Sequence, residues 1–461
     1  MRTRQRRVLA LGILVLAVVA AESVASLTDS EPHAPPDFYG YTPPAVGQSY
    51  VDPVFGERVI RGTDALNMEN PGPFDYMSPE YSSSAITNAD DSYVRITDSR
   101  GAQNLFSLPE FNYFRRLRLV SSSQSDFWWH VTDPNLLYAV PRNRLVQYDV
   151  ATDQTTTVHT FSEFGNVSGM GESNLSHDGN RLALRGRNPV SGDPQLFVYE
   201  FSSDSVIASL DIPTIPGFFD GTIAPSGDRV IIHTFPERGR GGIIEVWDIN
   251  EGAGTLTQGY VLPRGGGHND SSYGPDGKEY MIIIDSWVSN TLYRYDLDDG
   301  TRTTLMHFGW DGSQSPIALH VSTNSMHNDG WIYLSTYIGN RSDPDPSQHW
   351  IPFQGELLRI RWDGSAIERL AHNRTQAVRY WNQPRATVST SGRYLFWASN
   401  YRRNHVPSAP DSYADTYFMD LHRLTTAPPA RAHSPSSWTQ LRIDGSNGAG
   451  ITSREPRLRT R

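Results

Sequence analysis

The chain has 461 residues, a formal charge of −10 and no cysteine. Its acidic balance argues against a general nucleic-acid binder, and the lack of cysteine excludes disulfides and thiolate metal sites, so stability must come from a core. The 22 Tyr, 18 Phe and 11 Trp, set among 38 Gly and 31 Pro, suit short strands joined by many turns, and helix-period segments are scarce.

At the N-terminus, Arg2, Arg4, Arg6 and Arg7 precede Val8 to Ala21, an apolar run of 14 residues. That is short for a membrane span and the right size for a signal-peptide core. Residues 1–26 are therefore expected to be a signal peptide that exports the chain to the periplasm or beyond as a secreted protein, without stable membrane insertion. A Pro-rich extension, 27–49, follows. The run from Tyr50 to Arg61 then reads as a hairpin that joins a ring closure. The Gly/Ser-rich stretch and Arg454 to Arg461 read as a flexible tail, 446–461.

Between them, residues 50–445 repeat. A turn stands before each of seven apolar runs: Asp90-Asp91, Pro134-Asn135, Asp178-Gly179, Ser226-Gly227, Asp276-Gly277, Asp329-Gly330 and Ser391-Gly392. Each leads into a β-prone run such as Tyr93 to Ile96, Arg181 to Leu184, Tyr280 to Ile284 or Tyr394 to Trp397. Several continue into a third strand ending in an aspartate turn, as at Leu145 to Asp149, Ile244 to Asp248 and Leu292 to Asp296. The spacings of 44, 44, 48, 50, 53 and 62 residues, with four short strands per repeat, predict an all-β, seven-bladed β-propeller of four-stranded antiparallel blades.

In such a ring, residues six positions before each turn converge on one mouth with the returning loops. Those positions hold Trp128, Glu172, Asp220, Asp270 and Arg385, with His130 and His268 beside them and His320 in the sixth repeat. Returning loops add Arg187, Arg238, Arg402 and Arg403. Trp128 can serve as core or as a sugar platform. Glu172, Asp220 and Asp270 can tie blades together by accepting backbone N–H bonds, or supply the carboxylate pair of a glycoside hydrolase.

The order "GGGHND" before a "PDG" hairpin, then "LHVS" about fifty residues on, then "NQPRATVSTSGRYLFWASN", resembles the β-propeller polysaccharide lyases, oligogalacturonate lyases in particular. The resemblance covers mainly residues 260–400, and its hairpins are shared with non-catalytic TolB-like propellers. It implies a divalent metal such as Mn or Ca, held by histidines of successive blades and a glutamine. His268 and His320 match the two histidines. Where the pattern has a further histidine this chain has Ser322, and Gln314 lies six residues upstream of His320. Ulvan-type lyases, which work mainly with histidine, tyrosine and arginine, tolerate that departure.

For β-elimination from a uronate, the proton leaves C5 beside a carboxylate, so the site needs a base near neutrality and a cation against the developing charge. His268 is the candidate base or metal ligand, His320 its partner and His130 a third candidate. Arg187, Arg238 and Arg385 are candidate carboxylate clamps. The expected partner is an acidic polysaccharide or oligosaccharide, with no nucleic acid, on a monomeric protein. A glycan- or protein-binding propeller without chemistry is the alternative, a hydrolase the third.

Overall fold

The computed structural model describes residues 27–119, 126–170, 174–235, 242–265, 268–285, 289–309, 317–327, 329–338 and 350–423. The expected signal peptide and tail lie outside these residues, as do Glu172, Arg238 and Gln314. Among the described residues no helix is long and apolar enough to cross a membrane.

The architecture is an all-β propeller of four-stranded antiparallel units. The first sheet comprises Met77–Ser78, Tyr93–Asp98, Gln103–Ser107 and Asn112–Arg116; the second runs from Phe127–Trp129 to Gln154–Thr160. Next comes one eight-stranded sheet. It consists of two antiparallel runs of four, Gly165–Ser168 to Ser205–Asp211 and Phe218–Ile223 to Thr255–Gly265, joined by a single parallel pair, Ser209 with Thr255. Two more four-stranded sheets begin at Asn269–Tyr273 and Ile317–Ser322. The last has five strands, because Arg58–Arg61 pairs with the C-terminal strand Asp415–Asp420 and carries Ser49–Val51 on its outer edge. The expected closing hairpin is thus found. The even count of seven is replaced by five separate sheets and one of eight, since the two central runs touch at their outer edges.

Every predicted second strand is present, for a local reason. The turn before each strand closes a tight hairpin, and Gly277 sits in one of these turns at φ 77°, a conformation glycine adopts freely. In the first repeat Asp91 takes the same left-handed place at φ 55°, which aspartate tolerates better than most residues. Period-two alternation then sends neighbouring side chains to opposite faces. Met281 and Ile283 pack with Ile231 and Val246 of the preceding run, while Ile282 and Ile284 pack with Leu319 and Ile332 of the following sheet. The same layering joins the last sheet to the first, through Phe396 and Phe418 against Val94 and Ile96. Asp415, buried at the closure, accepts from Arg61 Nη2 at 2.8 Å and from the Ala65 N–H at 2.7 Å.

One departure from the repeat organises the interior. In the first sheet Ser78 pairs with Thr97, and pairing resumes only at Thr87 opposite Val94. Nine steps on the inner strand thus answer three on its neighbour. The surplus loops inward and is gripped from several sheets. Asn324 donates to Ser82 O and Ser84 O, both at 3.0 Å, and Asn174 donates to Ser83 O at 2.5 Å. Thr387 Oγ1 donates to Ser84 O at 3.0 Å, and Arg385 donates to Glu80 O. Glu80 is buried and ion-paired with Arg95 at 2.7 Å. Buried backbone carbonyls require such partners.

Asn324→Ala leaves Ser82 O without this donor and Ser84 O with one fewer. The expected loss is about 1–3 kcal/mol, read as a lower denaturation midpoint, and an unchanged midpoint would show that the inserted segment does not depend on this amide.

Candidate functional site

The inserted segment carries Tyr81 onto His268. The Tyr81 hydroxyl lies 3.0 Å from His268 Nδ1. His268 stands just before the strand Asn269–Tyr273, and His320 lies within the neighbouring inner strand Ile317–Ser322. The two imidazoles meet edge to face, with ring centroids 4.4 Å apart. The Tyr81 ring meets His320 edge-on at 5.4 Å, and Tyr337 stacks on His320 at 5.0 Å. Four rings from three sheets therefore form one cluster.

Arg385 completes it at the entry to the last inner strand. Its backbone is left-handed, φ 40°, an uncommon state for a residue with a side chain. Its side chain is 0% exposed. Besides Glu80 O, it donates to Ser78 Oγ at 3.0 Å and Trp381 O at 3.2 Å, and it lies over the rings of Tyr380 and Trp381. These hydrogen-bond partners are neutral, and among the described residues no carboxylate forms an ion pair with it, although its charge reaches the buried Glu80 carboxylate. Tyr380, 46% exposed, marks the solvent side of the cluster.

This setting fixes protonation. Burial pushes His268 down to about 4. His320 lies well below the usual imidazole range, through burial first and then the charges of His268 and Arg385. Both are neutral at neutral pH, so each presents one N–H and one lone pair. His320 is fully buried, yet neither ring nitrogen has a hydrogen-bond partner. An unmade bond of that kind costs about 1–3 kcal/mol and calls for an explanation such as a ligand. Burial also holds the Tyr337 phenol above its ordinary range, hence protonated.

The other sequence candidates divide. Trp128, His130, Asp220 and Asp270 line a central channel of about 930 Å³, whose wall includes Ser83, Ala85 and Thr87 of the inserted segment. His268 and His320 are absent from that wall. Trp128 is 3% exposed and packs with Tyr138 and Leu182, so it serves as core and not as a platform at a mouth. His130 Nδ1 accepts the N–H groups of Thr132 and Asp133 at 3.2 and 3.0 Å, capping its own turn, and it makes no contact with the histidine pair. Asp270 accepts the Thr323 N–H of the next sheet at 2.6 Å and the Ser271 N–H at 2.8 Å, and burial pushes its carboxyl up to about 7. That is the inter-sheet tie. Asp220 accepts the Gly221 N–H at 2.8 Å. Arg187 is exposed and donates to Gly192 O at 2.9 Å within its own loop, away from the cluster.

The donor set was tested against a divalent ion. Catalytic metal sites take about three protein ligands, whereas this cluster offers two imidazoles, and among the described residues no three His, Cys, Asp or Glu side chains come together. Ser322, where the resembled pattern has a histidine, accepts the Val388 N–H at 3.1 Å. The Arg385 charge beside His320 also opposes a cation. The described residues do not fit a metal centre.

Tyr81 and Tyr337 escape a reading by repeat position. Tyr81 sits in the insertion "EYSSS", which breaks the register, and Tyr337 is visible only once the second strand is paired, two residues beyond Ser335, the partner of His320.

No family model matches the sequence, and no curated protein does. Among solved structures, an oligogalacturonate lyase from Vibrio parahaemolyticus is similar at a TM-score of 0.54 and 13% identity, covering 81% of this chain and 96% of that one. An oligogalacturonate lyase in complex with manganese gives 0.53 and 13%, covering 81% and 95%. TolB from Acinetobacter baumannii gives 0.34 and 16%, covering 65% and 64%. At these identities the likeness to the two lyases is one of fold.

Titration of the imidazoles by NMR is expected to keep His268 neutral down to pH about 4. Its folded-state value is depressed, so stability it contributes is present above the unfolded value of 6.5 and lost as pH falls toward 4. Protonation of His268 near 6.5 would contradict this electrostatic account.

Proposed function

We propose that the chain is a propeller lyase that cleaves uronate-containing polysaccharide or oligosaccharide by β-elimination. The observation that carries this reading is the pair of neutral imidazoles in ring contact, one bonded to Tyr81 and the other with both nitrogens free, beside a buried guanidinium that forms no ion pair among the described residues. The fold likeness to two oligogalacturonate lyases supports it. Counting each four-stranded run of the eight-stranded sheet as a blade makes the ring seven-bladed. Export through residues 1–26 and a monomeric state belong to the same reading.

The roles follow from the hydrogen bonds. With the His268 Nδ1–H donated to the Tyr81 oxygen, Nε2 presents its lone pair and takes the C5 proton. The C5–H electron pair is delocalised into the adjacent carboxylate, then forms the C4=C5 double bond as the C4–O bond breaks. The leaving oxygen takes the proton back from the imidazolium formed at His268, with His320 in ring contact to relay it, so both imidazoles end neutral. Arg385 has spent its N–H groups on the inserted segment and on neighbouring backbone, so it works through charge and not as a bidentate clamp. A fixed positive charge in a water-poor site favours the transition state's added negative charge without reorganisation. No step is assigned to a metal, because the described donor set does not fit one.

Two features disfavour a hydrolase built on the channel carboxylates. Both oxygens of Asp270 accept backbone N–H bonds, and its raised protonation range follows from burial without a partner acid.

The test is the ultraviolet absorbance of the unsaturated uronate product, measured on pectic, ulvan-like, alginate and glycosaminoglycan substrates. His268→Ala and His320→Ala are each expected to lower the rate about 10²–10⁴-fold. Tyr81→Phe should lower the rate with little change in stability, and a chelator should have no effect. Absence of any rise would favour the binding propeller, and abolition by chelator would overturn the metal-free assignment.

A further inference from the structure

A second, small recess opens beside Tyr337, the ring that stacks on His320. Its walls come from the sheet that begins at Ile317–Ser322 and the segments that flank its strands, the Pro-rich N-terminal segment through Phe38 and Tyr41, and the loop bearing Arg402. Three of its residues hold buried N–H groups with no hydrogen-bond partner: Arg374 at Nε and Nη2, Gln354 at Nε2 and Trp350 at Nε1. Arg374 is 4% and Gln354 1% exposed. The buried side-chain atoms without a hydrogen-bond partner among the lining residues are all donors. Groups of one kind cannot satisfy one another, so what satisfies them must bring acceptors.

The chain maintains this arrangement against its own backbone preference. Arg374 is left-handed at φ 57°, and so are three consecutive residues, Tyr401, Arg402 and Arg403, at φ 44°, 55° and 60°. Bulky residues hold that conformation only where their surroundings over-determine it, and such residues gather at functional sites. Arg374 Nη1 is engaged by both Asp37 oxygens at 3.0 Å, while its Nη2 makes a longer ion pair with Asp52 Oδ2 at 4.0 Å that is not a hydrogen bond. Asp52 itself is committed to His372. The remaining face of the guanidinium lies against Tyr41, 4.3 Å from its centroid. Arg402 lies over Phe38 at 4.1 Å and adds a second guanidinium to the wall.

We infer that this cavity is an oxyanion subsite, taking the carboxylate or sulfate group of a sugar unit next to the one cleaved. The oxyanion class rests on these donors set beside the guanidinium groups of Arg374 and Arg402, and its attachment to a neighbouring sugar rests on the lyase reading. The arrangement fits a polyanionic substrate, one acidic group meeting the histidine cluster and the next meeting the Arg374 cavity, with Tyr337 as the partition between them.

Calorimetric titration of the full chain with sodium sulfate, against sodium chloride at matched ionic strength, tests the subsite without recourse to catalysis. Saturable sulfate binding is expected, weakened at least tenfold by Gln354→Glu, which replaces a donor with an acceptor of the same shape. Trp350→Phe, which removes one N–H and keeps the ring, should weaken it too, and serves if Gln354→Glu fails to fold. His320→Asn should bind sulfate as the native chain does, so loss of elimination and loss of the subsite read out separately. Sulfate should also raise KM for an oligouronide and leave kcat unchanged. No saturable binding, or equal binding in a folded Gln354→Glu chain, would overturn the oxyanion site, and sulfate binding without competition would overturn its link to the sugar.

Discussion

The amide of Asn324 and the carbonyls it receives, Ser82 O and Ser84 O, hold the structure's functional geometry together. A closed ring of sheets leaves a channel along its axis, and the first inner strand spends its surplus residues crossing into it. Once there, those residues carry peptide groups that water no longer reaches, and every carbonyl needs a donor from another sheet. Asn174, Thr387 and Arg385 supply the others. Tyr81 can reach His268 only because this crossing is held from several sides.

From that constraint the electrostatics follow. The crossing segment covers His320 fully and His268 in part, burial depresses protonation of both imidazoles, and the Arg385 guanidinium donates to Glu80 O of that segment and to Ser78 Oγ just before it. Those hydrogen-bond partners are neutral, and the Glu80 carboxylate is ion-paired with Arg95, so Arg385 interacts with that carboxylate only through longer-range charge. One buried cation is ion-paired with an acid, and the other stands beside two neutral bases. An incoming anion meets a positive field, and an incoming cation meets repulsion. The same logic extends past Tyr337, where the buried, unpartnered side-chain atoms of the Arg374 cavity are donors.

Much of this was legible in the residues and some was not. The Asp-Gly turns and alternating apolar runs located every second strand, because hairpin geometry and burial are local constraints that recur with each blade. Repeat position also brought together His268, His320 and Arg385, since a shared place in the repeat is a shared place around the axis. The same ruler sent Asp270 and Trp128 to the mouth, where the structure has an inter-sheet tie and a core ring. It could not tell a side chain that faces the axis from one that faces the next sheet, because alternation along a short inner strand changes face at each step. His130 failed for another reason: its imidazole caps its own turn, a local bond that repeat spacing does not reveal. Tyr81 was hidden because an insertion has no register, and the Arg374 cavity because its walls join the N-terminal segment to residues more than three hundred positions away.

The most direct test of the account is the mass of the products released from a defined oligouronide. Elimination breaks the glycosidic bond without adding water, so the account predicts product masses that sum to the substrate's, with one product carrying the C4=C5 double bond. Masses exceeding the substrate by one water would mean hydrolysis, and an intact substrate bound to the protein would mean a binding propeller. Either result would contradict the assignment of His268 and His320 as the proton-transfer pair.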